Sequence, residues 1–188
     1  VIKQLRALGS AKNREGQQRF GIRPKTTQLG VSVTDMRKLA RRIKINHALA
    51  MKLWALGIHE ARILASMLAD PARVTRALMD RWVRQFDSWD VCDQVCANLF
   101  DKTPHAFAKA VEWAGRDKEF VKRAGFALMA CLAWHDQQAS DAKFKSLLPV
   151  IERHADDDRN FVRKAVNWAL RQIGKRNRTL NRAAVASA

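Results

Sequence analysis

Three carboxylates and a tryptophan fall within seven residues, Asp87-Ser88-Trp89-Asp90-Val91-Cys92-Asp93. The chain around this segment is strongly basic, yet no Lys or Arg lies between Arg84 and Lys102. On a helix, Trp89 and Asp93 share one face because they are four residues apart. A carboxylate held beside an aromatic ring can stabilise a developing positive charge, so this acidic segment is the first candidate for chemistry.

The same residues also have ordinary structural explanations. Asp90 is expected to serve as a first-turn partner of the helix dipole. Asp93 lies further inside the helix, where a carboxylate facing a polyanion would weaken binding unless chemistry required it. An internal salt bridge between Asp93 and Arg123 is the alternative. Tryptophans of amphipathic helices more often belong to the core, and we expect this of Trp54, Trp82, Trp113 and Trp134.

The charge of the chain indicates a polyanionic partner. The sequence holds 35 Lys and Arg against 18 Asp and Glu, a formal net charge of +17. The excess is largest at the two ends, where residues 1–44 contain twelve basic side chains and residues 171–182 contain no acidic one. Nucleic acid is therefore the first candidate partner, and basic residues that only solubilise helix faces are the alternative.

Cysteine usage and hydropathy predict a soluble, cytoplasmic protein. The three cysteines, Cys92, Cys96 and Cys131, do not form a disulfide framework, and no second Cys or His pair stands at zinc spacing. We expect them to be reduced core thiols and expect no metal site. No apolar run approaches the roughly 18 residues that a membrane span needs.

Helical periodicity extends through the chain without any β alternation, which predicts an all-α fold in one domain. Residues 1–30 are expected to be an irregular or helical N-terminal segment, with Phe20 and Ile22 as anchors in an irregular stretch from 9 to 30. Residues 32–173 should form helix pairs, and residues 174–188 a basic C-terminal helix. Asp70-Pro71 and Thr103-Pro104 are typical of helix starts and predict helices over 72–86 and from 103 to about 114. Further helices are expected over 46–56, 58–69, about 88–100, 117–134, 140–154 and 158–173.

One internal repeat favours an α-solenoid. Residues 119–124 (EFVKRA) recur as residues 160–165 (NFVRKA), a shift of 41 residues (161 minus 120) that lies in the range of HEAT repeats. Residues 60–65 resemble the same helix opening. In such a stack, equivalent positions of successive repeats line a concave face, which here would be a basic groove.

The candidate nucleic-acid contacts follow from this arrangement. The helix that starts near Ser32 carries a basic stripe opposite its apolar face. Equivalent positions of later helices add further cations, and Trp168 shares a face with two of them. The predicted phosphate contacts are Arg37, Lys38, Arg41, Arg42, Arg62, Lys164 and Arg171.

Three motifs then resemble the AlkD-type DNA alkylation repair glycosylases over nearly the whole chain. They are Trp89-x-x-x-Asp93, Phe120-Val121-Lys122-Arg123-Ala124 and Phe161-x-Arg163-Lys164-Ala165-x-x-Trp168-x-Leu170-Arg171. The resemblance implies a HEAT-like α-solenoid that acts in base excision repair without metal or cofactor. It would hydrolyse the N-glycosidic bond of cationic alkylated purines, such as 3-methyladenine and 7-methylguanine, in duplex DNA. Residues 9–30 depart from the family pattern.

The resemblance also implies roles for four residues. Asp93 would be the catalytic carboxylate, Trp89 and Trp168 would contact the deoxyribose of the lesion, and Arg123 would hold the backbone at that nucleotide. An alkylated purine cation is already a good leaving group, so one carboxylate can suffice. The alternative function is a non-catalytic HEAT-repeat module that binds DNA or structured RNA. In either case we expect a monomer.

Overall fold

The helical periodicity of the sequence becomes thirteen α-helices and two 3₁₀ helices in the structure, a computed structural model that describes residues 1–188. The α-helices are α1 Ile2–Leu8, α2 Ala11–Arg19, α3 Val33–Ile43, α4 His47–Ala55, α5 His59–Leu68, α6 Arg76–Val83, α7 Trp89–Asn98, α8 Ala106–Ala114, α9 Glu119–His135, α10 Asp141–Lys145, α11 Leu148–Arg153, α12 Asn160–Gly174 and α13 Arg178–Ala186. The 3₁₀ helices are Pro71–Arg73 and Phe100–Lys102. There is no strand, only an isolated bridge between Thr27 and Ile58, and the all-α prediction is confirmed. No helix has both the length and the apolar composition that crossing a membrane requires.

The helices pack as successive pairs. Helices α3, α5, α7, α9, α12 and α13 form one layer in which each packs on the next, while α4 lies against α5, α8 against α9 and α11 against α12. The repeated hexapeptides begin α9 at Glu119 and α12 at Asn160, and these two helices pack against each other. The internal repeat therefore marks equivalent helices, as the sequence predicted.

Helix α9 is the centre of the core, which joins 51 buried residues from Leu5 to Ala184. Twelve of its 17 residues are buried, because it is covered by α7, α8 and α12. A Cβ at Gly125 would stand 2.4 Å from the backbone nitrogen of Ala114, so glycine is required where α8 crosses α9. The three cysteines are buried and free, as predicted, and burial raises the pKa of the Cys96 and Cys131 thiols.

The tryptophan predictions are right in three cases and wrong in one. Trp54 and Trp82 are buried and stack with ring centroids 3.8 Å apart, and Trp113 is buried beside Phe100. Trp134 is 61% exposed instead of lying in the core. It is the penultimate residue of α9, where the chain returns to the surface.

Two helices begin later than predicted, because neither Asp70-Pro71 nor Thr103-Pro104 lies at the start of an α-helix. Asp70 does cap a helix, accepting a hydrogen bond from the Ala72 nitrogen at 3.0 Å, but that helix is the 3₁₀ turn. Helix α6 begins later and is capped by Thr75. Thr103 does not cap α8, since its hydroxyl donates to the Phe100 carbonyl and α8 begins at Ala106. The region predicted as one helix over 140–154 is divided into α10 and α11.

The segment predicted to be irregular, residues 9–30, contains helix α2, which is capped by Ser10. No residue of α2 is buried, so it has no apolar face that a periodicity could reveal. Ile22 is buried as expected of an anchor, whereas Phe20 is 77% exposed and is not one.

Residues 20–31 contain no helix or strand and form a segment that we call the strap. It crosses the beginnings of α5 and α7 and is held there by two carboxylates. Asp87 accepts from the Thr26 nitrogen at 3.0 Å. Glu60, which is fully buried, accepts from the backbone nitrogens of Leu29 at 2.9 Å and Gly30 at 2.6 Å.

Candidate functional site

The first turns of α5, α7, α9 and α12 meet on one side of the molecule. His59, the first residue of α5, is hydrogen-bonded to Asp90 of α7 at 2.8 Å, and the Cys92 thiol of α7 contacts the carbonyl of Phe120 in α9 at 3.7 Å. The amide groups of a helix's first turn have no partners within the helix and carry partial positive charge. The carboxylates of Glu60, Asp90 and Glu119 lie in the first turns of α5, α7 and α9 and offset this partial charge.

Asp93 and Arg123 form a bidentate ion pair at this place. The Arg123 Nε donates to Asp93 Oδ1 at 2.9 Å and its Nη2 donates to Oδ2 at 2.7 Å, while Nη1 donates to the carbonyl of Phe161 in α12. The side chains are 7% and 16% exposed for Arg123 and Asp93, respectively. The internal salt bridge considered from the sequence is therefore present. Three of the five N–H groups of Arg123 are used inside the protein, and they position Asp93. That Arg123 also holds the DNA backbone stays a prediction.

The charges of the pair support each other. Burial raises the pKa of the Asp93 carboxyl above its ordinary value, Arg123 opposes this rise, and the neighbouring Asp90 adds to it. Burial alone would lower the pKa of Arg123, but the Asp93 carboxylate outweighs it and raises that pKa. The guanidinium thus opposes, without cancelling, the rise in the pKa of Asp93 that burial causes.

Trp89 completes the group, as the spacing of the acidic segment predicted. The Arg123 guanidinium carbon lies 5.7 Å from the centre of the Trp89 ring, and the indole nitrogen donates to the carbonyl of Phe20 at 3.1 Å. Trp89 is the first residue of α7 and is half-buried. An aromatic ring and a partly exposed carboxylate, one turn apart on α7, are therefore both held against a cation of α9.

Trp168 does not join this group, contrary to the sequence prediction. The residue of α12 that meets Arg123 is Phe161, and Trp168 lies seven residues, or about 10 Å, further along the same helix. Trp168 instead lines a separate shallow depression with Arg163, Lys164, Asn167 and Arg171.

Phe161 was missed in the sequence as a neighbour of the site. The signal was the internal repeat, in which Phe161 corresponds to Phe120. In the structure the two rings lie 5.8 Å apart, one on α12 and one on α9.

The predicted phosphate contacts divide into exposed and buried residues. Arg37, Lys38, Arg41, Arg42, Lys164 and Arg171 are exposed. Arg62 is 8% exposed, donates to the Gln85 carbonyl at 2.8 Å and lies over the Trp54 ring, so it is not placed to contact a phosphate. That the exposed cations share a concave basic groove stays a prediction.

Asp90 has more partners than a residue that only balances a helix dipole. It is 8% exposed, and its carboxylate accepts a hydrogen bond from the Ser88 hydroxyl and is bonded to His59. It links the beginnings of α5 and α7. His135, the last residue of α9, is paired with Asp101. Nowhere do three or more His, Cys, Asp or Glu side chains converge as metal ligands would.

Comparison with known proteins agrees with this architecture. One solved structure is described as representing "a new family of proteins related to the HEAT-like repeat DNA glycosylases with affinity for branched DNA structures". It superposes with a TM-score of 0.87 at 23% identity, over 99% of this chain and 79% of that chain. The likeness shows the fold, and the predicted HEAT-like helical repeats are confirmed.

At the level of sequence, a search of curated proteins found no match. A family model described as "DNA alkylation repair enzyme" matches residues 1–188, the whole chain. The chain therefore belongs to the DNA alkylation repair enzyme family.

Proposed function

We propose that this protein is a monofunctional DNA glycosylase that removes cationic alkylated purines, such as 3-methyladenine and 7-methylguanine, from duplex DNA. One observation carries the proposal. The Asp93 carboxylate is fixed by a bidentate Arg123 beside Trp89, and remains partly exposed, in a chain of net charge +17. A protein that only binds a polyanion gains nothing from such a carboxylate, whereas a reaction that develops positive charge does.

The geometry suits hydrolysis without a general acid. As the glycosidic C–N bond breaks, its electron pair leaves with the purine, which becomes neutral, and the sugar acquires oxocarbenium character. At a separation of about 4 Å and an effective dielectric of about 20, a fixed carboxylate stabilises this cation by roughly 4 kcal/mol. The Trp89 ring adds a favourable face for the same cation. Asp93 also orients the water that adds to the sugar carbon and then loses a proton.

Arg123 contributes by positioning. Its planar guanidinium fixes both oxygens of Asp93, and the Phe161 carbonyl fixes the guanidinium in turn. The carboxylate is therefore preorganised before DNA binds, which is the condition for electrostatic stabilisation of a transition state.

The DNA backbone would be held by the exposed cations. In this proposal Arg37, Lys38, Arg41 and Arg42 contact phosphates on one side of the site. The depression formed by Trp168 with Lys164 and Arg171 holds the strand beyond Phe161. The protein acts as a monomer on chromosomal DNA in the cytoplasm.

Replacing Asp93 by asparagine tests the proposal, since Asp93→Asn keeps the size of the side chain and removes its charge. Excision of 7-methylguanine from duplex DNA under single-turnover conditions should fall by roughly 10² to 10³, while DNA affinity holds or rises. Asp156→Asn, the same change at an exposed carboxylate between α11 and α12, is the control and should keep the rate within a few-fold. A folded Asp93→Asn protein that excised at the parental rate would contradict the proposal.

A second candidate is a non-catalytic DNA-binding module, and one observation favours it. Both oxygens of Asp93 already accept hydrogen bonds from Arg123, as in a purely structural ion pair. The solved relative is also described by its affinity for branched DNA structures. On this reading the parent protein would release no methylated base, yet it would bind a four-way junction more tightly than a linear duplex of equal length.

A further inference from the structure

Phe20 is the most exposed large apolar side chain of the molecule, at 77%. Single exposed apolar residues are common on protein surfaces and by themselves need no explanation. Leu56 and Val185, for example, are 51% and 69% exposed. What distinguishes Phe20 is how it is held and what surrounds it.

The backbone of Phe20 is fixed on both sides although its ring is free. Its nitrogen donates to the Gln17 carbonyl at 3.1 Å, and its own carbonyl accepts from the Trp89 indole at 3.1 Å. Gly21 follows with φ +77°, and a Cβ there would stand 3.2 Å from the Phe161 ring. Ile22 is then buried. The ring therefore projects from a rigid turn whose two contacts, Trp89 and Phe161, are the aromatic neighbours of Asp93 and Arg123.

The sequence around Phe20 is basic. No acidic residue lies between Glu15 and Asp35, and the side chains of Arg19, Arg23 and Lys25 are all exposed. A protein partner that covered an isolated phenylalanine would also have to neutralise these charges. Nucleic acid supplies phosphates for the cations and, where a base has lost a stacking neighbour, a free aromatic face for the ring.

We propose that Phe20 stacks on a base left without a stacking neighbour next to the nucleotide held at Asp93. The inference rests on the proposed function, because it takes the Asp93 site to be where DNA binds. Bases inside an uninterrupted duplex are stacked on both faces and offer none to Phe20. The contact therefore selects DNA that is already interrupted at the site and keeps the displaced nucleotide from returning to the stack.

Two duplexes of equal length test this role. One is uninterrupted, and the other carries a tetrahydrofuran abasic analogue flanked by 2-aminopurine. Phe20→Ala should weaken binding to the abasic duplex about 5-fold or more and change binding to the uninterrupted duplex less than about 2-fold. Phe20→Leu, which keeps apolar volume without an aromatic face, should lose about as much, and Phe20→Trp should retain parental affinity. The change in 2-aminopurine emission seen with the parent should be absent with Phe20→Ala.

Val185→Ala, a truncation of another strongly exposed apolar residue, on α13, is the control and should leave both affinities unchanged. Parental binding of Phe20→Ala to the abasic duplex would overturn the proposal, as would an equal loss on both duplexes. In either case the proposed glycosylase would stand, provided that excision by the parent still depends on Asp93. A parent protein that bound neither duplex would overturn both.

Discussion

Two arginine–carboxylate pairs lie in the same helical layer, and they do different things. Arg62 of α5 is paired with Asp87, and Arg123 of α9 is paired with Asp93. In both pairs the guanidinium also lies over a tryptophan ring, at 5.4 Å for Arg62 and 5.7 Å for Arg123. Residue types and burial are therefore nearly the same, so the difference must come from the partners of each carboxylate.

Asp87 accepts a hydrogen bond from the strap, whereas both oxygens of Asp93 accept hydrogen bonds from its arginine. The closest Arg62–Asp87 approach is 3.8 Å, and Asp87 accepts a hydrogen bond from the Thr26 nitrogen. Burial lowers the pKa of Arg62, and the Asp87 carboxylate only partly opposes this decrease. At Arg123 the bidentate Asp93 raises the pKa instead. One pair fastens a chain segment, while the other fixes both oxygens of a carboxylate that is only partly exposed.

The largest effect should come from breaking the tighter pair. Arg123→Ala leaves Asp93 largely buried without its counter-charge, and the free energy of unfolding should fall by about 3 to 5 kcal/mol. Arg62→Ala mainly removes a hydrogen bond to the Gln85 carbonyl and should cost about 1 to 3 kcal/mol. Urea denaturation of the two variants measures both values. Equal losses would mean that the pairs are energetically equivalent and the comparison is wrong.

A smaller effect is expected from the carboxylates that hold the strap. Glu60→Gln turns an amide group toward the backbone nitrogens of Leu29 and Gly30, and should lower stability by about 1 to 3 kcal/mol. Hydrogen exchange of those two amides should accelerate. Glu152→Gln, at an exposed position of α11, is the control that should change neither measurement. Unchanged protection in Glu60→Gln would show that the strap is held by other contacts.

The smallest expected effects are on the salt dependence of DNA binding, which should differ between exposed and buried cations. Lys164→Ala and Arg171→Ala should each reduce the slope of log affinity for duplex DNA against log salt by about 0.9, the amount expected for one lost phosphate contact. Arg62→Ala should leave the slope unchanged because that side chain is buried. A reduced slope in Arg62→Ala would mean that Arg62 leaves its buried position and contacts a phosphate when DNA binds.

The sequence predicted that the helices pack in pairs and that Asp93 lies on a helix with Trp89. It did not show whether Phe161 or Trp168 of α12 meets Arg123. The two residues are seven apart on α12, which places them on the same helix face and about two turns apart. Periodicity reports the face of a helix and not which of its turns meets a neighbouring helix. That choice depends on how far α12 slides along α9, which only packing decides.

The strap was unpredictable for a different reason. It depends on hydrogen bonds from Thr26 to Asp87 and from Leu29 to Glu60, which span 61 and 31 residues. Nothing local in the sequence indicates them. Arg62 is likewise buried by contacts outside its own helix, since it donates to the Gln85 carbonyl and lies over the Trp54 ring, although basic residues are ordinarily expected at the surface.

The bond between Trp89 and Phe20 and the bond between Arg123 and Phe161 connect distant parts of the chain. A ribosome delivers these parts in order, so α7 and its acidic segment emerge long before α12. A nascent chain that ends before Asn160 holds both Asp93 and Arg123, yet it lacks the carbonyl that fixes the guanidinium and the helix that covers α9. The site is therefore completed only after α12 has been synthesised, and a chain that stops before α12 carries Asp93 and Arg123 without their geometry.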